Sequence, residues 1–208
     1  MKSPYLLKVI ISLNVLVTLG WFLSGNTPWF SFMLDNFLIS WTGLEEGRFW
    51  TLLTSAFSHS SLFHLMINMY VLFGFGIVLH QLLGPAAFLN FYLISGISGS
   101  FMHALMSKLF IGEPGMPALG ASGAIAGIVL LFSLSFPREK LLLMGLIPIR
   151  AGWAAVLIIS LDLWGLIAQT KGGGLPIGHG AHLGGALMGI IWYFAIRNKK
   201  ENQVKPPL

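Results

Sequence analysis

The chain has no cysteine among its 208 residues. That removes disulfides, a thiol nucleophile and every cysteine-based metal site. Charge is nearly as scarce, at 9% Asp, Glu, Lys and Arg, where a soluble domain carries about a quarter. No H-E-x-x-H occurs, which excludes a zincin-type metalloprotease. The soluble-hydrolase elbow G-x-S-x-G also fails, because Ala124 takes its last glycine position. No internal repeat and no separate soluble domain is visible.

What is there is apolar: 55% of residues are hydrophobic and the mean hydropathy is +0.80. This composition describes an integral membrane protein. A net charge of +5 could suggest nucleic acid, but the basic residues are scattered beside apolar segments and read as topology signals. Met1 to Leu23 resembles a signal peptide. Its apolar run is long and no small-x-small cleavage site follows, so it is read as a retained first helix.

Segments long enough, or nearly so, to span about 30 Å of hydrocarbon fall at Tyr5–Leu23, Leu62–Leu83, Ala86–Leu109, Ser122–Phe136, Ala151–Gln169 and Ala181–Ile196. The fold class expected is an all-α membrane protein of six transmembrane helices. Residues 1–196 form that single domain, and 197–208 form a polar, unstructured cytoplasmic tail. The first loop, about 24–61, mixes Trp29, Phe30, Trp41 and Trp50 with Asp35, Glu45 and Arg48, which suits a segment in the outer interface. Placing both termini inside puts nine Lys and Arg on the inner face and three on the outer, a clear positive-inside bias.

This topology brings polar residues to one depth. Ser122 precedes Arg138 by 16 residues, Asn68 precedes Gly84 by 16, and His182 precedes Arg197 by 15. At about 1.5 Å per residue, all three lie roughly 22–24 Å above the inner boundary. Ser122 sits where a loop meets an apolar helix, among Gly120, Gly123 and Gly127. A serine hydroxyl needs a base, and neutral histidine suits that task. His182 is the base expected, with Gly185 and Gly189 on its helix face allowing tight packing. Asn68, His64 one turn earlier, and the Ser122 backbone N–H are the donors available to an oxyanion. Singly, each has a structural reading: a packing serine, a helix-gluing asparagine, a lone histidine. Their common depth favours the catalytic one.

These residues resemble the rhomboid intramembrane serine proteases in their compact six-helix form. The resemblance runs from about Gly47 to Tyr193 and rests on Gly47-Arg-Phe-Trp50, on His59 with His64 and Asn68, on Gly120-Ala-Ser-Gly123, and on Ala181-His-Leu-Gly-Gly185 with Gly189. It implies a Ser122–His182 dyad without a third acid, and an oxyanion site of His64, Asn68 and the Ser122 amide. It also implies a water-accessible cavity opening outward, and cleavage of transmembrane proteins near their outer boundary. Gly120, Gly123, Gly185, Gly189 and His59 are supporting residues on this reading.

Two positions depart from some members: Thr51 follows Trp50, and Ala126 stands one turn after the serine where an aromatic can stack on the histidine. Asp162 is expected to bond to a neighbouring helix and is kept out of the catalytic group. His103 and His179 match no motif. The Lys171–Gly174 stretch is either a lid or a plain loop.

The function expected is therefore an intramembrane serine endopeptidase. The alternatives are a catalytically inactive rhomboid-like factor that binds membrane proteins or serves quality control, and a small transporter, for which the inverted repeat is missing. No cofactor, metal or nucleic acid is expected; the partners are transmembrane substrates and the bilayer. The location expected is a bacterial cytoplasmic membrane, with the active site toward the outer side.

Overall fold

The computed structural model describes residues 4–25, 27–143 and 147–204. Nine α-helices are described: α1 (Tyr5–Ser24), α2 (Pro28–Phe37), α3 (Trp41–Glu45), α4 (Thr51–Thr54), α5 (Leu62–Leu83), α6 (Pro85–Met106), α7 (Ser122–Ser135), α8 (Ala151–Thr170) and α9 (His179–Val204). The long ones match the sequence segments to within a few residues. Two differences stand out. Lys140–Leu143 and Ile147–Arg150 pair as an antiparallel hairpin in a chain expected to be all helical. The tail expected to be unstructured from Arg197 instead continues α9 to Val204, and the rest of it, 205–208, lies outside the described residues.

Helix ends follow local chemistry. Ser61 caps α5 by accepting the His64 N–H at 3.1 Å. Gly84 ends α5 at a φ of 81°, and Pro85 opens α6 at the position where its missing N–H costs nothing. Among the described residues three helices, α1, α5 and α8, are long and apolar enough to cross a membrane. The helices α6 and α9 match them in length, at 22 and 26 residues, but spend many positions on Gly, Ser and His.

At the centre stands α7, whose Gly123, Ala124, Gly127, Ile128 and Leu131 are buried. It packs most extensively on α9 and α6. Leu7 and Ile10 of α1, Leu72 and Leu79 of α5, and Phe88, Phe91 and Tyr92 of α6 join it in one core. Its 14 residues rise only about 21 Å, less than the roughly 30 Å of a bilayer core.

The α7–α9 seam is backbone on backbone. A Cβ on Gly185 would run into the Gly123 carbonyl oxygen, and one on Gly189 would lie 2.8 Å from the Gly127 oxygen. The small residues of α6 admit α9 from the other side, where a Cβ on Gly99 would meet the Ala181 oxygen at 2.8 Å. Such close approach maximises dispersion contacts where lipid offers no hydrophobic drive between helices.

The segment between α1 and α5 braces the approach to α7. Ile39 and Ala118 exchange both backbone hydrogen bonds at 2.9 Å, and Gly120 donates its N–H to Ser55 O at 2.9 Å. Arg48 ties the segment together through Asp35 at 2.6 Å and Glu46 at 2.5 Å. Lys108 reaches Glu45 at 2.7 Å.

Gly185→Ala is expected to lower the unfolding midpoint, because overpacking a tight contact costs about 1–3 kcal/mol. Gly74→Ala in α5, where a Cβ meets nothing within 4 Å, should leave it unchanged or raise it by the helix-propensity gain of about 0.5–1 kcal/mol. Thermal unfolding in detergent compares the two; equal shifts would contradict the seam.

Candidate active site

Ser122 is the first residue of α7, after Ala121, so its backbone N–H has no partner within the helix. The loop before it turns at Gly120, whose φ of 131° disfavours any side chain. A Cβ there would sit 2.9 Å from His64 Cε1 and 3.1 Å from His64 Nε2, and 3.7 Å from Ser122 Oγ. The glycine thus lets the His64 ring lie over the turn, beside the serine. Ser60 Oγ stands 3.4 Å from His64 Nδ1 and the His59 ring packs edge-on at 4.9 Å.

One cleft of about 960 Å³ is bordered by Ser122, His182, His64, Asn68, Gly120 and Gly123. The residues that the sequence assigned to catalysis and to the oxyanion are therefore brought together. Asn68 is 6% exposed, and its amide Nδ2 has no hydrogen-bond partner among the described residues. A buried donor left unpaired is costly, and this one borders the cleft. Gly185 and Gly189 stand behind the site in the helix seam. His59 lies outside the cleft, buried, with Nδ1 3.3 Å from Thr18 Oγ1.

The main surprise is Asp162. Its Oδ1 lies 2.9 Å from His182 Nδ1 and 2.8 Å from His179 Nδ1. An ionised carboxylate only accepts hydrogen bonds, so both rings present Nδ1–H to it. This fixes the His182 tautomer and leaves Nε2 as the acceptor. Asp162 thus bonds to a neighbouring helix as expected, and the partner is His182 itself; His179, which matched no motif, shares the carboxylate. Ala126 offers His182 no aromatic ring; the His179 ring stands edge-on to it at 6.4 Å, and the carboxylate holds it at Nδ1. A pair of histidines at i and i+3 on α9, with one acid in an otherwise apolar helix, was the signal available in the sequence.

His103 is held elsewhere, with Nε2 3.2 Å from Met116 O. Gln169 donates to Leu175 O at 3.0 Å and Ile177 O at 2.8 Å, which ties the glycine-rich loop after α8 to the rim of the cleft. A smaller apolar groove of about 180 Å³ between α7, α8 and α9 reaches Ser122 and His182 past Ala126, Ile158 and Ala186.

Residues 46–199 match the family model described as Rhomboid domain, and the chain belongs to the rhomboid family. It is 36% identical over 178 residues to RHOMBOID-like protein 12, mitochondrial, of Arabidopsis thaliana, covering 80% of this chain and 52% of that one. It is 33% identical over 201 residues to Presenilin-associated rhomboid-like protein A, mitochondrial, of Danio rerio, covering 96% and 49%. Rhomboid protein 1, mitochondrial, of Saccharomyces cerevisiae is 36% identical over 155 residues, covering 74% and 44%. The chain spans about half the length of the curated relatives it matches. The expected bacterial cytoplasmic location is overturned, since these relatives are mitochondrial proteins.

Burial holds His59 neutral, with the neighbouring His64 adding to the effect, and pushes its pKa from 6.5 down to about 3. The unfolded ring takes up a proton below about pH 6.5 while the folded one does not, so stability is full above that pH and falls as pH drops toward 3. The slope is about 1.4 kcal/mol per pH unit. His59→Gln should flatten this acid limb in unfolding midpoints measured from pH 7 to pH 4. An unchanged limb would contradict a neutral buried His59.

Proposed function

We propose that the chain is an intramembrane serine protease with Ser122 as nucleophile, His182 as general base and Asp162 as the group that orients the base. The observation that carries this reading is the shared cleft, with a serine at a helix N-terminus and a histidine whose Nδ1 is bonded to a buried carboxylate.

The chemistry follows from these atoms. His182 Nε2 takes the Ser122 proton as Oγ attacks the scissile carbonyl carbon. The resulting oxyanion meets the Ser122 N–H, the Asn68 amide and, in the tautomer that carries its proton on Nε2, the His64 ring N–H. Asp162 stabilises the imidazolium without itself taking the proton. His182 then protonates the leaving amine, and a water activated by the same ring releases the acyl group from Ser122.

The six longest helices cross the bilayer on this reading, with the termini on the side rich in Lys and Arg. The cleft opens on the opposite side, between the loops at 58–61, 112–121 and 171–178. Substrates are transmembrane proteins whose chain unwinds near that boundary, since a peptide bond inside a helix is closed to attack. The mitochondrial relatives support a mitochondrial membrane as the site of action.

The test is cleavage of a model transmembrane substrate by purified protein. Ser122→Ala should abolish cleavage with the unfolding midpoint unchanged. Asp162→Asn should lower kcat by up to about 10⁴, the cost of losing the orienting acid in soluble triads. His64→Ala and Asn68→Ala should each lower kcat by about 10²–10³ with little loss of stability, since a helix-gluing bond is worth only about 0.6 kcal/mol. Cleavage by Ser122→Ala at the wild-type rate would overturn the nucleophile. Absence of cleavage by folded wild type against a panel of substrates would support the inactive, membrane-protein-binding alternative.

A further inference from the structure

Orienting His182 takes one carboxylate on one histidine, yet the fold delivers two histidines to Asp162. Making room for the second required a specific device. The His179 ring occupies the place of a side chain at Gly165 of α8, where any Cβ would collide with it. His179 contributes nothing to the proton path from Ser122, and its Nε2 is buried without a partner among the described residues. The ligand-type atoms of Asp162, His179 and His182 all lie within 4.8 Å of one another.

We propose that Asp162, His179 and His182 form an inhibitory site for a divalent transition-metal cation of the zinc class. Two imidazoles and a carboxylate form a donor set that zinc accepts in open sites, with a water completing the tetrahedron. Metal–ligand bonds of about 2.0–2.2 Å place tetrahedral donors roughly 3.3 Å apart. The present Oδ1–Nδ1 spacings of 2.8 and 2.9 Å lie within about 0.5 Å of that value, and no pair among the three donors is more than 4.8 Å apart. Imidazole selects zinc and copper over magnesium and calcium.

The effect on His182 follows from counting protons. In the metal-free ring the single proton sits on Nδ1, facing Asp162, and Nε2 is the acceptor. A cation at Nδ1 displaces that proton to Nε2, and the neutral ring keeps one proton in all. Nε2 then cannot take the Ser122 proton, so occupancy stops the acylation step. The inhibitory half of the proposal rests on the protease reading; the binding half does not. The metal is no part of the catalytic cycle, and a chelator should either leave activity unchanged or raise it.

The experiment measures binding and cleavage separately on detergent-purified, chelator-stripped protein. CoCl₂ reports binding through the visible ligand-field absorption of tetrahedral Co²⁺, and excess ZnCl₂ should bleach that band. The second measurement is cleavage of a model transmembrane substrate against rising ZnCl₂, with MgCl₂ as control. Wild type should give the cobalt band and lose activity with Zn²⁺ but not Mg²⁺. Since even an outer-sphere partner is worth about 10–100-fold in metal affinity, His179→Gln should lose the band and need at least about tenfold more Zn²⁺ for half-inhibition. Where His179→Gln does not fold, Asp162→Asn replaces it in the binding arm, with loss of the band expected. A folded wild type with no band, or a variant with the same band and the same Zn²⁺ sensitivity, would overturn the proposal. A band that His179→Gln abolishes, in a protein that cleaves nothing, upholds the metal site while the protease reading fails.

Discussion

Gly185 of α9 lies against the Gly123 carbonyl of α7 with no room for a methyl group between them. That contact sets the distance between two helices that each carry one half of the site. Ser122 is one residue before Gly123, and His182 is one turn before Gly185, so the polar groups inherit their spacing from the backbone seam. The same seam excludes side chains that would push α9 outward. A site built this way rests on rigid helices, and the loops shape only its rim.

A carboxylate inside an apolar bundle needs donors to stay charged, since an unpaired buried charge costs several kcal/mol. Two histidines from α9 supply them. Asp162, on α8, thereby links the thinly packed outer helix to the central pair. α8 turns Trp153, Val156, Leu161, Trp164 and Ile167 outward, an apolar face suited to lipid. Its polar bond to α9 is thus the natural restraint on its position at the edge of the cleft.

Much of this was legible in the sequence because membrane helices announce themselves by length and composition, and because Gly84-Pro85 and Pro137 mark where helices stop. Ser122, His182, His64 and Asn68, picked out by type and spacing, border one cleft. The bond of Asp162 to a neighbouring helix was legible, but not that it falls on His182 and His179, because the path of the chain between α8 and α9, through Gly172, Gly173 and Gly174, is not set by any local rule. Which face of α8 meets α9 follows from packing, and periodicity is silent when every face is apolar. The 140–150 hairpin was missed for a similar reason, since four-residue strands around Pro148 carry too short an alternation to separate from a helix end. Residues 197–204 read as a polar tail by composition, but a helix once begun in the bundle propagates cheaply into water.

Everything proposed for catalysis at the site depends on Ser122 being a nucleophile activated by His182. Incubating the purified protein with a fluorophosphonate and mapping the adduct by mass spectrometry tests this without any knowledge of the natural substrate. A single adduct on Ser122 is expected in wild type, and none in folded His182→Ala. Labelling of Ser122 at the same rate in both proteins, or no labelling of folded wild type, would contradict it.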